Sequence, residues 1–309
     1  MASRFKKVLV QSARRWIGIF RLAGANWLES QAFIYAAALA FFTVFSMAPV
    51  VILVVAVAGV FLGEMAARGQ IFDQLSDVLG PEAAEVVQTA VINSQIDQSG
   101  LLPTLMGLAA TVVGATTVFA QLQQSLNQIW DVAPKPSRSS LWLFLRARVL
   151  SLTIVLALGF VLLVSLVLSV ALRTIMAYAE QWLPVPGWLI VCLEVSLSLA
   201  VVTGLFAAMF KILPDVVLAW RDVVVGALVT AVLFTLGRSL IAIYLAQGAT
   251  SSAYGAAGSL VLLLLWVNYS SLILLFGAAL TRAHCDARGV VVRPTPSAVR
   301  VRRELLEPH

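Results

Sequence analysis

Charge is scarce in this chain. Asp, Glu, Lys and Arg make up 12% of its 309 residues, about half the share of an ordinary soluble domain. Histidine and cysteine are scarcer still, with two of each. These shortages exclude much of enzyme chemistry. His284 and His309 are the whole supply of imidazole, and His284-Cys285-Asp286 puts three potential metal ligands on consecutive residues. Consecutive side chains rarely converge on one ion, and no second ligand pair follows, so no metal site is expected. A Gly-rich loop ending in Lys and Ser/Thr is absent, which argues against a self-contained ATP-driven pump. Cys192 and Cys285 lie on different elements, so no disulfide is expected. No cofactor is implied, and the reading is not that of an enzyme.

Apolar residues are abundant instead, at 61%. They gather in six long runs, approximately Ile34–Leu62, Leu102–Ala120, Val149–Leu172, Trp188–Phe210, Val223–Ala246 and Ala256–Thr281. A helix needs about 20 residues to cross a hydrocarbon core of ~30 Å, and each run is long enough. The runs are continuous rather than alternating, which selects helices over a barrel. The longest connection extends from about Gly63 to Gly100, too little to bury a soluble core. The fold class is therefore an all-α integral membrane protein with six transmembrane helices. Three segments are expected. Residues 1–33 form a cytoplasmic amphipathic segment, and 34–281 a transmembrane domain with an outer amphipathic hairpin at about 63–100. Residues 282–309 form a basic cytoplasmic tail expected to be disordered.

Of the 21 Lys and Arg residues, all but Arg68, Arg173 and Arg238 precede the first run, sit in alternate connections or lie in the tail. Positive charge is retained in the cytoplasm, so both termini are expected there. An even number of spans agrees. The net charge of +6 is then a signal of topology, with membrane lipids as partners and no nucleic acid. Arg14-Arg15 ahead of an apolar run matches a twin-arginine export signal, but the run is too long for a signal h-region, so the first span is expected to be retained. Phe5, Leu9, Trp16, Ile19 and Phe20 share one side of a helix, with Lys6, Lys7, Arg14 and Arg15 on the other, which suits a helix lying in the interface. Within the outer hairpin, Pro81 opens a helix in which Ala83, Val86, Val87, Ala90 and Val91 follow helical spacing. That face packs onto the ends of the spans or forms a lid over an outward opening. After the second run, Leu122, Leu126, Ile129 and Trp130 continue a helical face that should stop at Pro134-Lys135-Pro136.

Ionisable residues inside spans are costly in lipid, so each is a candidate site. Glu194 and Arg238 both fall roughly 10–12 Å below the outer interface at 1.5 Å per residue. They form either a buried ion pair that fixes helix register or a polar floor under an outward cavity. In the second case Arg238 binds an anionic group and Glu194 orients it. The sixth span carries a polar belt at Asn268, Tyr269, Ser270 and Ser271, and the first carries Thr43 and Ser46 just before Pro49. Pro49 leaves a carbonyl unpaired and is expected to kink or break its helix; broken helices often line transporter sites. The candidate substrate-binding residues are Arg238, Glu194, Asn268, Tyr269, Ser46 and Pro49. Small residues at Gly107, Gly114, Gly226, Ala227, Thr230, Gly277 and Ala278 permit close helix approach.

Four ordered segments carry a family resemblance: AAALAFFTVFSMAPV (36–50), LNQIWDV (126–132), FKILPDVVLAWRDVVVGALVTAVLF (210–234) and SAYGAAGSLVLLLLWVNYSSLILLFGAAL (252–280). Together they resemble the YihY/BrkB family of bacterial inner-membrane proteins. The resemblance implies six membrane helices and brings two labels, virulence factor and ribonuclease BN. The second is a misassignment, consistent with the absence here of a soluble catalytic domain or ligand cluster. It also implies a link to movement of lipid or lipopolysaccharide precursors, and it supplies no catalytic residues. The resulting expectation is a transporter or flippase-like protein for an amphipathic, anionic envelope substrate. The alternative is a non-transporting scaffold for envelope proteins.

Overall fold

The computed structural model describes residues 2–62, 69, 71–73, 75–76, 81–93, 101–135, 187–246 and 258–302. Helix α1, Ala2–Glu29, buries Ile19 and Ala23 against Leu280 and Ala283 near the end of the last helix. It ends at a sharp corner. The Ser30 hydroxyl donates to the Trp27 carbonyl at 3.0 Å, and Gln31 adopts a left-handed backbone with φ 57°. Helix α2, Ala32–Leu62, begins at once and is apolar along most of its 31 residues. Of the expected kink or break at Pro49, the break does not occur, since the helix is continuous through that residue. Neighbouring helices can make good what a proline takes from a membrane helix. Here a Cβ on Gly114 of the facing helix would come within 2.8 Å of the Pro49 ring, so that ring is closely covered.

Helix α3, Pro81–Asn93, buries Ala84, Val87 and Val91 at helical spacing. Val87 and Val91 pack into a cluster with Val51 and Val55 of α2 and with Leu263 and Val267 of the last helix. Helix α4, Leu101–Ile129, stops before the expected Pro134-Lys135-Pro136. Asp131 takes a left-handed backbone, φ 49°, which a short polar side chain tolerates. The chain then continues as strand β1, Val132–Pro134. Helix α5, Gly187–Ile212, leads through Pro214 to strand β2, Val216–Val217. Helix α6 spans Trp220–Ala246 and helix α7 Gly258–Ala287.

Among the described residues, four helices are long and apolar enough to cross a membrane, over Ala32–Ile52, Val195–Ile212, Trp220–Arg238 and Leu260–Ala287. They fall on the first, fourth, fifth and sixth apolar runs. The second run is the N-terminal part of α4, and the third, Val149–Leu172, lies outside the described residues. Val224, Leu228, Val232, Leu236 and Leu240 form an exposed apolar stripe along α6. Such a stripe is costly in water and suits lipid.

The tail differs most from expectation, because it is ordered as far as Arg302. Gly289, at φ +69°, ends α7. The Val290 amide donates to the Cys285 carbonyl and the Gly289 amide to the Asp286 carbonyl, both at 3.0 Å. This paired closure satisfies carbonyls that a helix end leaves open and turns the chain back. Strand β3, Arg293–Pro294, then pairs antiparallel with β2, and strand β4, Ala298–Arg300, pairs antiparallel with β1. Val292 and Ala298 bury their side chains. The tail thus straps the end of α4 to the turn between α5 and α6. Gly289→Ala forces a Cβ into a left-handed backbone at a cost of about 1 kcal/mol. Limited proteolysis should then cut within 293–302 faster than in the parent protein.

Candidate functional site

Helices α6 and α7 meet through two matching small-residue motifs, Gly226-x-x-x-Thr230 and Gly277-x-x-x-Thr281. A Cβ on Gly226 would lie 1.9 Å from Thr281 Oγ1, and one on Gly277 would lie 1.7 Å from Thr230 Oγ1. Each threonine hydroxyl donates to the glycine carbonyl one turn back, at 2.6 Å from Thr230 and 2.8 Å from Thr281. All four residues are buried. Further along, the Phe234 and Trp266 rings meet edge to face at 5.7 Å. Gly237 then takes the Tyr269 ring, where a Cβ would come within 2.5 Å. This contact sets the depth of Arg238, which follows Gly237 and has an exposed side chain. Arg238 lies at the level of the Asn268–Ser271 belt, roughly 27 Å along α6 from Trp220 at 1.5 Å per residue.

Arg238 and Tyr269 therefore lie at one level along the bundle. Asn268 precedes Tyr269, and its Oδ1 is buried with no hydrogen-bond partner among the described residues. Ser46 is buried on α2, and Pro49 faces Gly114 of α4 rather than an opening. Glu194 belongs to α5, but the expected pairing with Arg238 lies outside the described side chains. His284, Cys285 and Asp286 point apart. The His284 ring stacks on Trp16, Cys285 is buried in the core, and Asp286 is exposed.

A second polar centre lies at the opposite, basic end of the bundle. Asn127 Nδ2 donates to Asp215 Oδ2 at 2.8 Å, and the Asp215 amide donates to Asn127 Oδ1 at 2.8 Å. Gln123 Nε2 adds a second bond to the same carboxylate at 3.3 Å. Arg282 pairs with Asp131 at 2.6 Å and also donates to the Ile129 carbonyl, which caps the end of α4. Arg288 pairs with Asp222 at 3.1 Å. Asp222 in turn accepts from the Ala219 amide and closes the start of α6. Lys211 donates to the Leu218 carbonyl at 2.6 Å and lies 5.2 Å from the Trp220 ring centroid. The tail joins this lattice where the Thr295 amide donates to the Asp215 carbonyl and the Val301 amide to the Asp131 carbonyl.

Sequence reasoning recognised the segments 126–132 and 210–234 but not that they fold against each other. One signal was available: Gln123, Asn127 and Asp131 recur every four residues, a polar stripe on an otherwise apolar helix. Asn127→Leu removes two bonds from Asp215 and should lower stability by about 2–3 kcal/mol. Thermal unfolding in detergent would measure it, and an unchanged midpoint would show that the pair carries no weight.

Comparison with known proteins agrees with the segments recognised in sequence. The model of the family described as "Virulence factor BrkB" matches residues 23–301. A UPF0761 membrane protein of Mannheimia succiniciproducens is 29% identical over 262 residues, covering 82% of this chain and 84% of that protein. One of Xanthomonas oryzae pv. oryzae is 27% identical over 288 residues, covering 90% of this chain and 64% of that protein. One of Bordetella petrii is 29% identical over 265 residues, covering 84% and 56%. The chain thus spans less than two thirds of the length of the latter two. No solved structure matches it. With a family match that runs through nearly all of its described helices and strands, the chain belongs to the Virulence factor BrkB family.

Proposed function

We propose that this chain crosses the bacterial inner membrane six times with both termini in the cytoplasm. In this reading it moves an amphipathic, anionic envelope substrate, as a transporter or flippase-like protein, without catalytic chemistry or a cofactor of its own. One observation carries the reading. An exposed arginine stands far along a membrane helix, level with an aromatic ring and an unsatisfied amide oxygen. A guanidinium there has no role in setting topology. At the level of Tyr269 and Asn268 it offers an anionic headgroup a charge-assisted, forked contact. Helix α6, at 27 residues, is roughly 40 Å long. It exceeds the hydrocarbon thickness, so Arg238 reaches the far half of the crossing, where substrate enters or leaves. The test is movement of labelled anionic lipid across liposomes that hold the purified chain. No movement of any envelope lipid, with folded protein, contradicts the reading.

A scaffold reading is favoured by a different observation, the ordered lattice at the basic end. Four separate segments are held there in one polar arrangement, and a rigid face of that kind suits recruitment of another protein. This reading predicts that Arg238→Gln leaves function intact, while disruption of the strap abolishes it.

A further inference from the structure

We propose that the second half of α1 stands in the membrane leaflet at the basic end of the bundle, and that its open apolar flank, Ile17, Phe20 and Leu28, takes the acyl chains of that leaflet as its partner. Patterning alone suits a helix lying flat at the interface. A flat helix would cross α7 within a turn or two. The contacts climb α7 instead. Arg15 donates to the Ala287 carbonyl, Trp16 stacks on His284, Ile19 and Ala23 pack on Leu280 and Ala283, and Trp27 meets the Phe276 ring edge to face. As α1 advances from Arg15 to Trp27, its partners step back from Ala287 to Phe276, roughly 17 Å along either helix at 1.5 Å per residue. The two helices therefore run antiparallel, side by side.

That position fixes what the flank meets. Residues 276–287 are the basic-end part of Leu260–Ala287, a stretch long and apolar enough to cross a membrane. A helix that stands beside them is at leaflet depth. At about 100° per residue, Ile17, Phe20 and Leu28 fall within an arc of about 80°. The arc is centred about 120° from the buried pair Ile19 and Ala23, so α7 does not cover it. Ile17 is 67% exposed and Leu28 62%. The apolar side of α1 is thus wider than its contact with α7.

Two observations favour acyl chains over a protein partner. The first is continuity. The Trp16, Phe20, Phe276, Trp27 and Phe33 rings follow one another with centroids 4.7–6.4 Å apart. Phe33 belongs to the α2 stretch Ala32–Ile52, itself long and apolar enough to cross, so the flank joins a second surface suited to lipid. The second is charge. Arg14 and Arg21 border the arc on its far side at helical spacing, and both are exposed. A second copy docking face to face would set its own arginines against these. Side chains on a helix lean toward its N-terminus, which for α1 is the direction of the headgroups at the basic end. Arg21, and Glu29 at the end of α1, can therefore carry their charges back to the polar layer. This placement stands whether or not the chain transports anything.

The experiment uses the full chain with Cys192→Ser in liposomes and adds one fluorophore-labelled cysteine at a time: Ile17→Cys, Leu28→Cys, Val232→Cys or Pro296→Cys. Cys285 is buried, and the Cys192→Ser chain alone gives its background labelling. Val232, on the exposed stripe of α6, sets the lipid reference, and Pro296, exposed between β3 and β4, sets the water reference. Iodide on both sides of the membrane should quench Pro296→Cys strongly and both α1 positions as little as Val232→Cys. A nitroxide on the lipid headgroup should quench Ile17→Cys more than Leu28→Cys, and one within the acyl chain should reverse that order. Phe20→Cys takes the place of either α1 variant that fails to fold. Equal depth at the two α1 positions overturns the proposal in favour of a helix lying flat. Strong iodide quenching at both overturns it in favour of a solvated face. Protection of both from iodide and nitroxide alike overturns it in favour of a protein contact.

Discussion

Gly226→Ala is expected to destabilise the bundle by about 1–3 kcal/mol, and Gly277→Leu to prevent its assembly. The added methyl at Gly226 would meet Thr281 Oγ1 at 1.9 Å and the Gly277 carbonyl at 3.0 Å. The second neighbour is backbone and cannot rotate away. At Gly277 a side chain would run into Thr230 Oγ1 at 1.7 Å and Phe210 at 3.0 Å. Helices in lipid gain little from hiding apolar surface from one another, so close packing and hydrogen bonds hold them together. Forcing α6 and α7 apart therefore removes the main attraction between them. Adding Thr281→Ala to Gly226→Ala removes the nearest clashing atom and should restore part of the midpoint. Thermal unfolding in detergent, with size-exclusion profiles, measures both effects. Parent-like midpoints in the glycine variants would contradict the reciprocal packing described above.

The second large effect is expected at Arg238. Arg238→Ala should lower transport of an anionic substrate by about 10- to 100-fold, the loss of one or two charge-assisted bonds. It should leave the protein inserted and folded, which size-exclusion profiles of the purified variant check. Arg238→Lys keeps the charge and loses the fork, so its loss should be smaller, about tenfold. Comparing initial rates for anionic and zwitterionic lipid separates the two effects. An equal loss for both lipids would mean that Arg238 acts through structure rather than through headgroup recognition.

The broad class was legible because hydrophobic length and charge asymmetry are one-dimensional signals. Four of the six runs coincide with helices able to cross a membrane. The small residues flagged for close approach include Gly226, Thr230, Gly277 and Gly114, and each lies at a tight contact. What escaped the sequence reading depends on long-range pairing. The polar partners Asn127 and Asp215 are 88 residues apart. Nothing local marks an asparagine and an aspartate as mates. The tail seemed disordered because Val290–Arg302 is short, basic and proline-containing. Its order comes from the left-handed Gly289 and from strand partners far back in the chain, Val216 and Val217 for β3 and Val132–Pro134 for β4. Pro49 stays within a continuous α2 for a related reason. A proline breaks an isolated helix, but α2 has Gly114 of α4 against it. Arg238 and Tyr269 were each singled out by residue type alone, and the contact of Tyr269 with Gly237 puts them at one depth.

The central claim is that an anionic amphipath crosses the membrane through this protein with Arg238 engaged. The most direct measurement is the flipping rate of labelled phosphatidylglycerol in liposomes holding matched amounts of the parent protein or Arg238→Ala. Protein-free liposomes give the baseline. The account predicts flipping well above baseline for the parent and close to baseline for the variant. Parent and variant flipping at the same rate, or a parent at baseline while folded and inserted, would contradict it.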